Sequence, residues 1–282
     1  MPPRLTDEEF RQFSDWIAER YGLRFEPAKR EILRARLEPR RAEHGFPTFQ
    51  ELLFHLKFNP DRDQEANKLI PLLTNNESYF FRERRQLAAF EEEILPALRK
   101  RNRVREKPVR ILSGGCAGGE EAYTLGIIAQ RTGALRPPAP AEVIGMDLDP
   151  QALERARAAV YTDHAFRGVP DEVKPRYFEE EDGGDRWKVK SSIRERVSFF
   201  EGNLVDAAWP RRVPPLDVVF CRNVLIYFDQ ETSARAVENI FTALAPGGYL
   251  FLGHAETLRR IPDNPFDVVR RPGSVFYQKP ED

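Results

Sequence analysis

From Ile111 to Glu121 the chain reads Ile-Leu-Ser-Gly-Gly-Cys-Ala-Gly-Gly-Glu-Glu, and from Val143 to Asp149 it reads Val-Ile-Gly-Met-Asp-Leu-Asp. Four glycines allow a tight turn whose backbone can approach a ligand closely. Two carboxylates follow that turn, and Asp147 ends the second apolar run, where an acid can accept both hydroxyls of a ribose. The spacing is not that of a dinucleotide loop. Gly114 and Gly119 have the outer spacing, but Cys116 stands where a central glycine would admit a pyrophosphate. Glu120 narrows the choice further. A helix N-terminus favours a carboxylate, yet this one would repel a phosphate and attract a cation. S-Adenosylmethionine carries a sulfonium and an ammonium, so the loop suits that nucleoside better than a phosphate-bearing coenzyme. Glu121 reads as an ordinary first-turn acid, and Asp149, ahead of Pro150, as a helix cap.

Two further runs carry usable side chains. In Phe220-Cys-Arg-Asn-Val-Leu-Ile-Tyr-Phe-Asp229, Asn223 can donate and accept hydrogen bonds, and Tyr227 can present a phenol to a substrate. Val224, Leu225 and Ile226 read as core. No Asn-Pro-Pro-Tyr or Asp-Pro-Pro-Tyr is present, which weighs against chemistry on a flipped base. In Leu73-Thr-Asn-Asn-Glu-Ser-Tyr-Phe-Phe-Arg-Glu83, small polar residues precede an aromatic pair and an arginine. By itself this run reads equally as a capped helix start. Cys116 and Cys221 end strands expected to be neighbours. They read as small buried residues, the alternative being that they rim the cofactor crevice.

These side chains need a scaffold, and the hydrophobic periodicity predicts one. Residues 1–95 read as a helical domain. Thr6 and Glu9 form a capping-box pattern ahead of Phe10, Phe13, Ile17 and Tyr21 at helical spacing. A second helix runs from Pro27 towards Ala42 with Ile32, Leu33 and Leu37 inward, and Pro39 is expected to kink or end it. Two more helices are expected near 48–58 and 63–73. The charged stretch 96–108 reads as a linker. From 109 to 282 strands and helices alternate, which predicts a parallel sheet. Strands are expected near 109–113, 142–146, 197–201, 216–221 and 248–253, with helices near 120–131, 150–159 and 231–245. Residues 266–269 and 274–278 read as a terminal antiparallel hairpin. Residues 174–200 read as a small antiparallel β insert turning at Gly183-Gly184, with an acidic tip. The fold class is therefore α/β, a Rossmann-like doubly wound sheet of the class I S-adenosylmethionine-dependent methyltransferase kind, preceded by an all-α domain.

Composition sets the outer bounds. Hydrophobic residues make up 41% and charged residues 32% of 282, as in globular proteins. No apolar run approaches the roughly 20 residues of a membrane span, and no signal-peptide core is evident. A net charge of -1 does not favour nucleic acid. Two cysteines without a Cys-x-x-Cys spacing, and four histidines without ligand spacing, argue for a reducing, cytoplasmic setting and no metal.

Taken in order, Asn-Asn-Glu-Ser-Tyr-Phe-Phe-Arg-Glu, Gly-Gly-Glu-Glu-Ala-Tyr, Asp-Leu-Asp, Cys-Arg-Asn-Val-Leu-Ile-Tyr-Phe and Gly253-His-Ala-Glu256 resemble the CheR-type chemotaxis receptor glutamate methyltransferases. The resemblance spans about residues 10 to 279. It implies methyl transfer from S-adenosylmethionine to receptor glutamates, giving glutamyl methyl esters and S-adenosylhomocysteine. By resemblance, Asn76, Ser78 and Arg82 reach the cofactor or the transfer site. Glu120 holds the amino acid end, Asp147 the ribose, and Asn203, Leu204, Asn223 and Val224 the adenosine. Arg82 and Tyr227 are the catalytic candidates. Ser78 stands where threonine is usual, and Ala122 where proline is usual. The partner implied is the cytoplasmic helices of a chemoreceptor. Lys29, Arg36 and Arg40 share one helix face that could dock such an acidic surface, although a solvated face is the plainer reading. The acidic tip of the insert disfavours the acidic C-terminal receptor tether that some members grip. A monomer without nucleic acid or membrane insertion is expected. Two alternatives stay open: a methyltransferase acting on RNA or another protein, and a non-catalytic cofactor-binding signalling module.

Overall fold

The computed structural model describes residues 3–104 and 106–281. They form two compact units, one of residues up to Asn75 together with Tyr227–Asp229, the other of Asn76–Ile226 and the residues from Gln230 onward.

The first unit is helical. Helix α1 (Asp7–Tyr21) starts at a reciprocal cap: the Glu9 N–H donates to the Thr6 hydroxyl at 3.2 Å, and the Thr6 N–H donates to the Glu9 carboxylate at 2.9 Å. Phe10, Phe13, Ile17 and Tyr21 are all buried. Helix α2 (Arg30–Glu43) follows a short turn at Pro27–Lys29 and passes through Pro39 without ending there. Its stripe is Leu33, Leu37 and Arg40, spaced i, i+4, i+7, and burial of that stripe carries the helix past the proline. Ile32 lies off the stripe and is 49% exposed, contrary to expectation. Helix α3 (Phe49–Phe58) is capped by Thr48. The single helix expected over 63–73 is two, α4 (Arg62–Asn67) and α5 (Ile70–Leu73), because Pro71 cannot donate to the preceding turn.

Arg40 is the main correction in this unit. It is 7% exposed and ion-paired with Glu65, itself 8% exposed, and with Glu43. Lys68 and His44 also reach Glu65, at 2.7 and 2.9 Å. Arg36 donates to the Leu73 carbonyl and lies over the Phe25 ring. Of the three basic residues expected to dock a partner, Lys29 is exposed, while Arg40 is part of the interior.

The second unit begins earlier than the sequence suggests. Residues 76–95 pack with the sheet, and the expected linker is mostly helix. Helix α6 (Arg84–Ala89) runs through a π turn (Phe90–Ile94) into α7 (Leu95–Val104). Leu95, Leu98 and Asn102 form its buried stripe, which the surrounding arginines and lysines mask in the sequence. Asp217 anchors this helix, accepting from Arg101 at 2.6 Å, Asn102 at 3.0 Å and the Arg110 N–H at 2.9 Å. Arg105, also within the expected linker, lies outside the described residues.

Beyond it the chain alternates: β1 (Arg110–Gly114), α8 (Glu120–Arg131), β2 (Glu142–Asp147), α9 (Pro150–Ala158), β3 (Val160–Thr162), α10 (Val173–Tyr177), β4 (Phe178–Glu181), β5 (Arg186–Val189), α11 (Ser191–Arg194), β6 (Val197–Glu201), β7 (Leu216–Cys221), α12 (Gln230–Ala243), β8 (Leu244–Leu252), β9 (Asp267–Arg271) and β10 (Ser274–Gln278). The main sheet has the order β6-β2-β1-β7-β8-β10-β9. The first five strands are parallel, and β10 is antiparallel to both neighbours. Phe220, Phe251 and Phe276 stack across three adjacent strands, with ring centres 4.5 and 4.9 Å apart. The small sheet has three strands, β3-β5-β4. Strand β3 is only three residues long, too short for periodicity to reveal; the strand expected over 197–201 is β6 of the main sheet, so the insert ends before it and not at 200. Among the described residues, no helix is long and apolar enough to cross a membrane.

Burial alone would push the Glu65 carboxyl up. Hydrogen bonds from Lys68 and His44, with the charges of Arg40 and Lys68, outweigh burial and hold it at about 2. A depressed carboxyl contributes stability above its free value of 4.5 that is lost as pH falls towards 2. Arg40→Ala should destabilise the helical unit by about 1.5–3 kcal/mol, since it takes a charge-assisted hydrogen bond from a buried carboxylate and leaves Lys68 and His44 to hold it. Urea unfolding at neutral pH measures this, and the difference should shrink in the acid window as Glu65 protonates.

Candidate functional site

Strand β1 ends in a turn that only small residues can make. Gly115 has φ 75° and Gly119 φ 91°, and Ala117 between them is also left-handed at 49°. A side chain at Gly115 would start 2.4 Å from Cγ2 of Val224, and one at Gly114 3.2 Å from Leu204. These glycines thus let the β7 tip and the segment after β6 close on the turn. The Gly115 and Cys116 N–H groups donate to the Met146 carbonyl at 2.8 and 3.1 Å, tying the turn to β2. The Tyr161 hydroxyl on β3 donates to the Gly118 carbonyl at 2.7 Å.

Three buried acids surround this turn. Asp147 accepts the Ala117 N–H at 2.7 Å on one oxygen and the Asp149 N–H at 2.9 Å on the other. It shapes the loop, and each oxygen retains a lone pair for a further donor. Asp149 caps α9 and also receives the Asn76 side-chain amide at 2.5 Å. Glu120 is 9% exposed, and its Oε2 has no hydrogen-bond partner within the protein. Burial pushes the Glu120 carboxyl up, opposed by its own backbone amide, the Ser78 hydroxyl and the charges of Arg155 and Arg167. Asp147 is likewise raised by burial. An orphaned buried carboxylate oxygen is costly unless something cationic meets it.

The segment 76–83 is extended and turn-like, not a helix start; the helix begins at Arg84. Phe81 and Glu83 both have φ 57°, a conformation that costs a non-glycine residue roughly 1–3 kcal/mol. Arg82 sits between them. Its guanidinium donates to the Glu77 carbonyl of its own loop at 3.3 Å and lies 5.6 Å from the Tyr79 ring centre. Its carbonyl accepts from Arg222 at 2.6 Å. Arg222 in turn pairs with Glu121 at 2.9 Å, and Glu121 accepts from the Ser113 hydroxyl at 2.7 Å. Glu121 is therefore an interior partner, not the plain first-turn acid the sequence suggested.

At the tip of β7, Asn223 has φ 61°. Its N–H donates to Glu256 at 2.7 Å, as do the Gly253 N–H at 2.6 Å and the Ile226 N–H at 3.3 Å. Burial raises the Glu256 carboxyl, and these amides counter it. The Asn223 side chain reaches Glu83 only at 3.5 Å. Asn203 accepts the Val205 N–H at 3.1 Å through its side chain, and the Leu204 carbonyl takes Trp209 and Asn239. A cavity of about 530 Å³ opens beside Glu83, Gly253 and Glu256, with Arg84, Arg85 and Arg271 on its walls.

The structure thus links Asn76, Ser78, Glu120, Asp147, Leu204 and Val224 around one turn, and joins Arg82 and Asn223 to it through Arg222 and Glu83. Tyr227 ends the short turn Leu225–Tyr227 and groups with the helical unit, its carbonyl accepting the Arg24 N–H at 3.1 Å. Sequence pattern alone gives Glu121, Arg222 and Glu256 no site role. For Arg222 the available signal is a charge inside the otherwise largely apolar run from Phe220 to Phe228, because burial obliges it to have a partner. Cys116 and Cys221 are both closed to solvent, and burial pushes both thiols well up, so they are packing residues and not an accessible rim. His44, His55 and Glu65 have metal-like proximity in the helical unit. The Arg40 guanidinium bonds Glu65 and lies 2.9 Å from His44 Nε2, so a permanent cation already occupies that space.

The profile of the family described as CheR methyltransferase, SAM binding domain, matches residues 76–272, and that of the CheR methyltransferase all-alpha domain matches residues 8–74. The chain belongs to the CheR methyltransferase family. Chemotaxis protein methyltransferase 2 of Vibrio cholerae serotype O1 is 33% identical over 98% of this chain and 94% of its own length. Chemotaxis protein methyltransferase 1 of Pseudomonas aeruginosa is 31% identical over 97% of this chain and 99% of its own. The CheR-family chain is an S-adenosylmethionine-dependent protein methyltransferase with a class I sheet. Its residues fit the cofactor: Glu120 Oε2 lacks the cationic partner that an amino acid end supplies, and the glycine turn leaves backbone where a Cβ would intrude.

A carboxyl raised above its free value of 4.5 keeps its proton in the folded chain after the unfolded chain has lost it. It adds stability at low pH that is lost as pH rises through the raised value. Glu120→Gln should therefore raise the melting temperature of the ligand-free protein at neutral pH, the gain vanishing below the free value. S-Adenosylhomocysteine affinity, read by calorimetry, should fall about tenfold or more. Gly115→Ala should weaken the same affinity about 10- to 100-fold through the Val224 clash, and adding Val224→Ala should recover part of it.

Proposed function

We propose that this CheR-family enzyme methylates glutamate side chains on the cytoplasmic helices of a chemoreceptor, forming glutamyl methyl esters. The observation that carries the reading is the unsatisfied Glu120 carboxylate beside the glycine turn, in a chain whose relatives are chemotaxis methyltransferases. Asn76, Ser78 and Glu120 hold the amino acid end of the cofactor, Asp147 its ribose, and Asn203, Leu204, Asn223 and Val224 its adenosine. S-Adenosylmethionine supplies an electrophilic methyl group on a sulfonium.

The remaining work falls to few side chains. A receptor carboxylate with pKa about 4.3 is ionised at neutral pH, so no general base is required. Arg82 draws that carboxylate in and orients it, and Tyr227 presents a phenol to it. Alignment can lower the barrier by roughly 7–11 kcal/mol when reacting atoms are held in a near-attack geometry. The enzyme works as a monomer in the cytoplasm, and Lys29 contributes to docking the acidic receptor surface. Glu179 and Glu180 are exposed on the insert, which supports recognition without an acidic tether.

Arg82→Ala should lower turnover about 100-fold or more while changing S-adenosylhomocysteine affinity by less than about tenfold. Transfer of labelled methyl to receptor cytoplasmic fragments, with base-labile release, reads the reaction. Full turnover in Arg82→Ala would remove Arg82 from the mechanism, and label that resists base would remove the ester assignment.

A further inference from the structure

We infer that the buried ion pair between Arg222 and Glu121 positions the Arg82 loop for methyl transfer, an inference that rests on the assignment of Arg82 above. The pair is expensive where it stands. Arg222 and Glu121 side chains are 2% and 15% exposed, and well-packed apolar residues in such places are often no less stable. Its cost calls for a task, and the contacts name one. From one end Glu121 is fixed to the central strand β1 by the Ser113 hydroxyl at 2.7 Å. At the other, Arg222 donates to the Arg82 carbonyl at 2.6 Å.

The loop it holds does not hold itself. Phe81 and Glu83, on either side of Arg82, are both at φ 57°. The main chain is pinned on both sides of the first strained residue. The Phe81 N–H donates to the Thr124 hydroxyl at 3.1 Å, and that hydroxyl donates to the Glu120 carbonyl at 2.7 Å. The Arg222 contact is the second pin. Among the described residues, the hydrogen bond and ring contact of the Arg82 side chain are with Glu77 and Tyr79 of its own segment, so its aim follows its backbone. Glu83 beyond it is held through its side chain, by the His254 N–H at 3.2 Å and Nδ1 at 3.0 Å, so the second pin is what fixes the Arg82 main chain itself, and without it the guanidinium turns away. A lysine cannot replace Arg222, because the guanidinium reaches a carboxylate and a carbonyl in two directions at once. Arg222 and Glu121 are positioning residues; neither is placed against the substrate.

The test uses the full-length enzyme with receptor cytoplasmic fragments, measuring kcat, receptor KM and S-adenosylhomocysteine affinity. Arg222→Met with Glu121→Met removes both charges and strands neither. It should lower kcat about 30-fold while cofactor-product affinity stays within about threefold. In an Arg82→Lys background the same pair should lower kcat further by less than about threefold, because the aim it maintains is already spoiled. Unchanged kcat in the folded double variant overturns the inference, as does the full loss recurring in the Arg82→Lys background. Should the double variant not fold, Arg222→Lys decides: a fall in kcat of about tenfold is expected, and wild-type turnover overturns the inference. Wild-type turnover in Arg82→Ala overturns the assignment of Arg82 and this inference with it. A silent Arg222 pair beside an inactive Arg82→Ala overturns this inference alone.

Discussion

Burial of charge at the carboxyl ends of β1, β2 and β8 is the constraint on which the rest of this structure depends. Glu120, Asp147 and Glu256 are all raised by burial, so the ligand-free enzyme is less stable at neutral pH than it would be with neutral groups there. Two of the three are repaid by main-chain amides: Asp147 takes two and Glu256 three. Glu120 keeps an oxygen without a partner. On the proposed reading, in which Glu120 meets a cationic amino acid end, that unsatisfied acid is held in readiness for it. Instability of the empty pocket and affinity for the ligand are two faces of one electrostatic arrangement.

The same constraint explains the irregular backbone. For amides to converge on a carboxylate, consecutive peptide planes must turn sharply, and that brings residues to positive φ. Asn223 turns at 61° and sends its N–H to Glu256; Ala117 turns at 49° and sends its N–H to Asp147. Gly253 permits the close approach in the first case, since a Cβ there would start 2.7 Å from Glu256. The described non-glycine residues at positive φ lie in connecting segments, outside the strands, and β7 behind them is wholly buried. That division of labour is what a rigid sheet offers to flexible loops.

Features with a local cause were readable in the sequence. The glycine turn, the α1 capping box, the parallel alternation and the closing hairpin each follow from propensity or periodicity within a few residues. What escaped was set by partners distant in the chain. Arg40 reads as a surface cation until Glu65, 25 positions later, is seen to bury it. Leu95, Leu98 and Asn102 read as linker because charged neighbours hide a stripe that only Asp217 completes. Glu121 reads as a helix-start acid until Arg222 arrives from β7's tip. In each case a charged side chain looked solvated because its partner is not its neighbour in sequence. The acids placed by local pattern, Glu120 and Asp147, do flank the glycine turn; their ribose and amino acid roles are properties of a ligand that sequence pattern names only through resemblance.

The small sheet belongs to this argument as well. It reads as an insertion, yet its strand β3 carries Tyr161, whose hydroxyl fixes the Gly118 carbonyl two residues before Glu120. Phe80, within the strained 76–83 segment, packs between Tyr161, Phe166 and Phe178 with ring centres 4.9 to 5.0 Å away. Its N–H donates to the Ala165 carbonyl at 2.9 Å. Edge-to-face contacts of this kind contribute about 0.5–1.5 kcal/mol each beyond simple burial. One aromatic cluster therefore braces both the loop that presents Glu120 and the segment that presents Arg82. Strand β3 has three residues and no independent stability; it persists because its Tyr161 ring is buried against Phe80 and Tyr123 of the core.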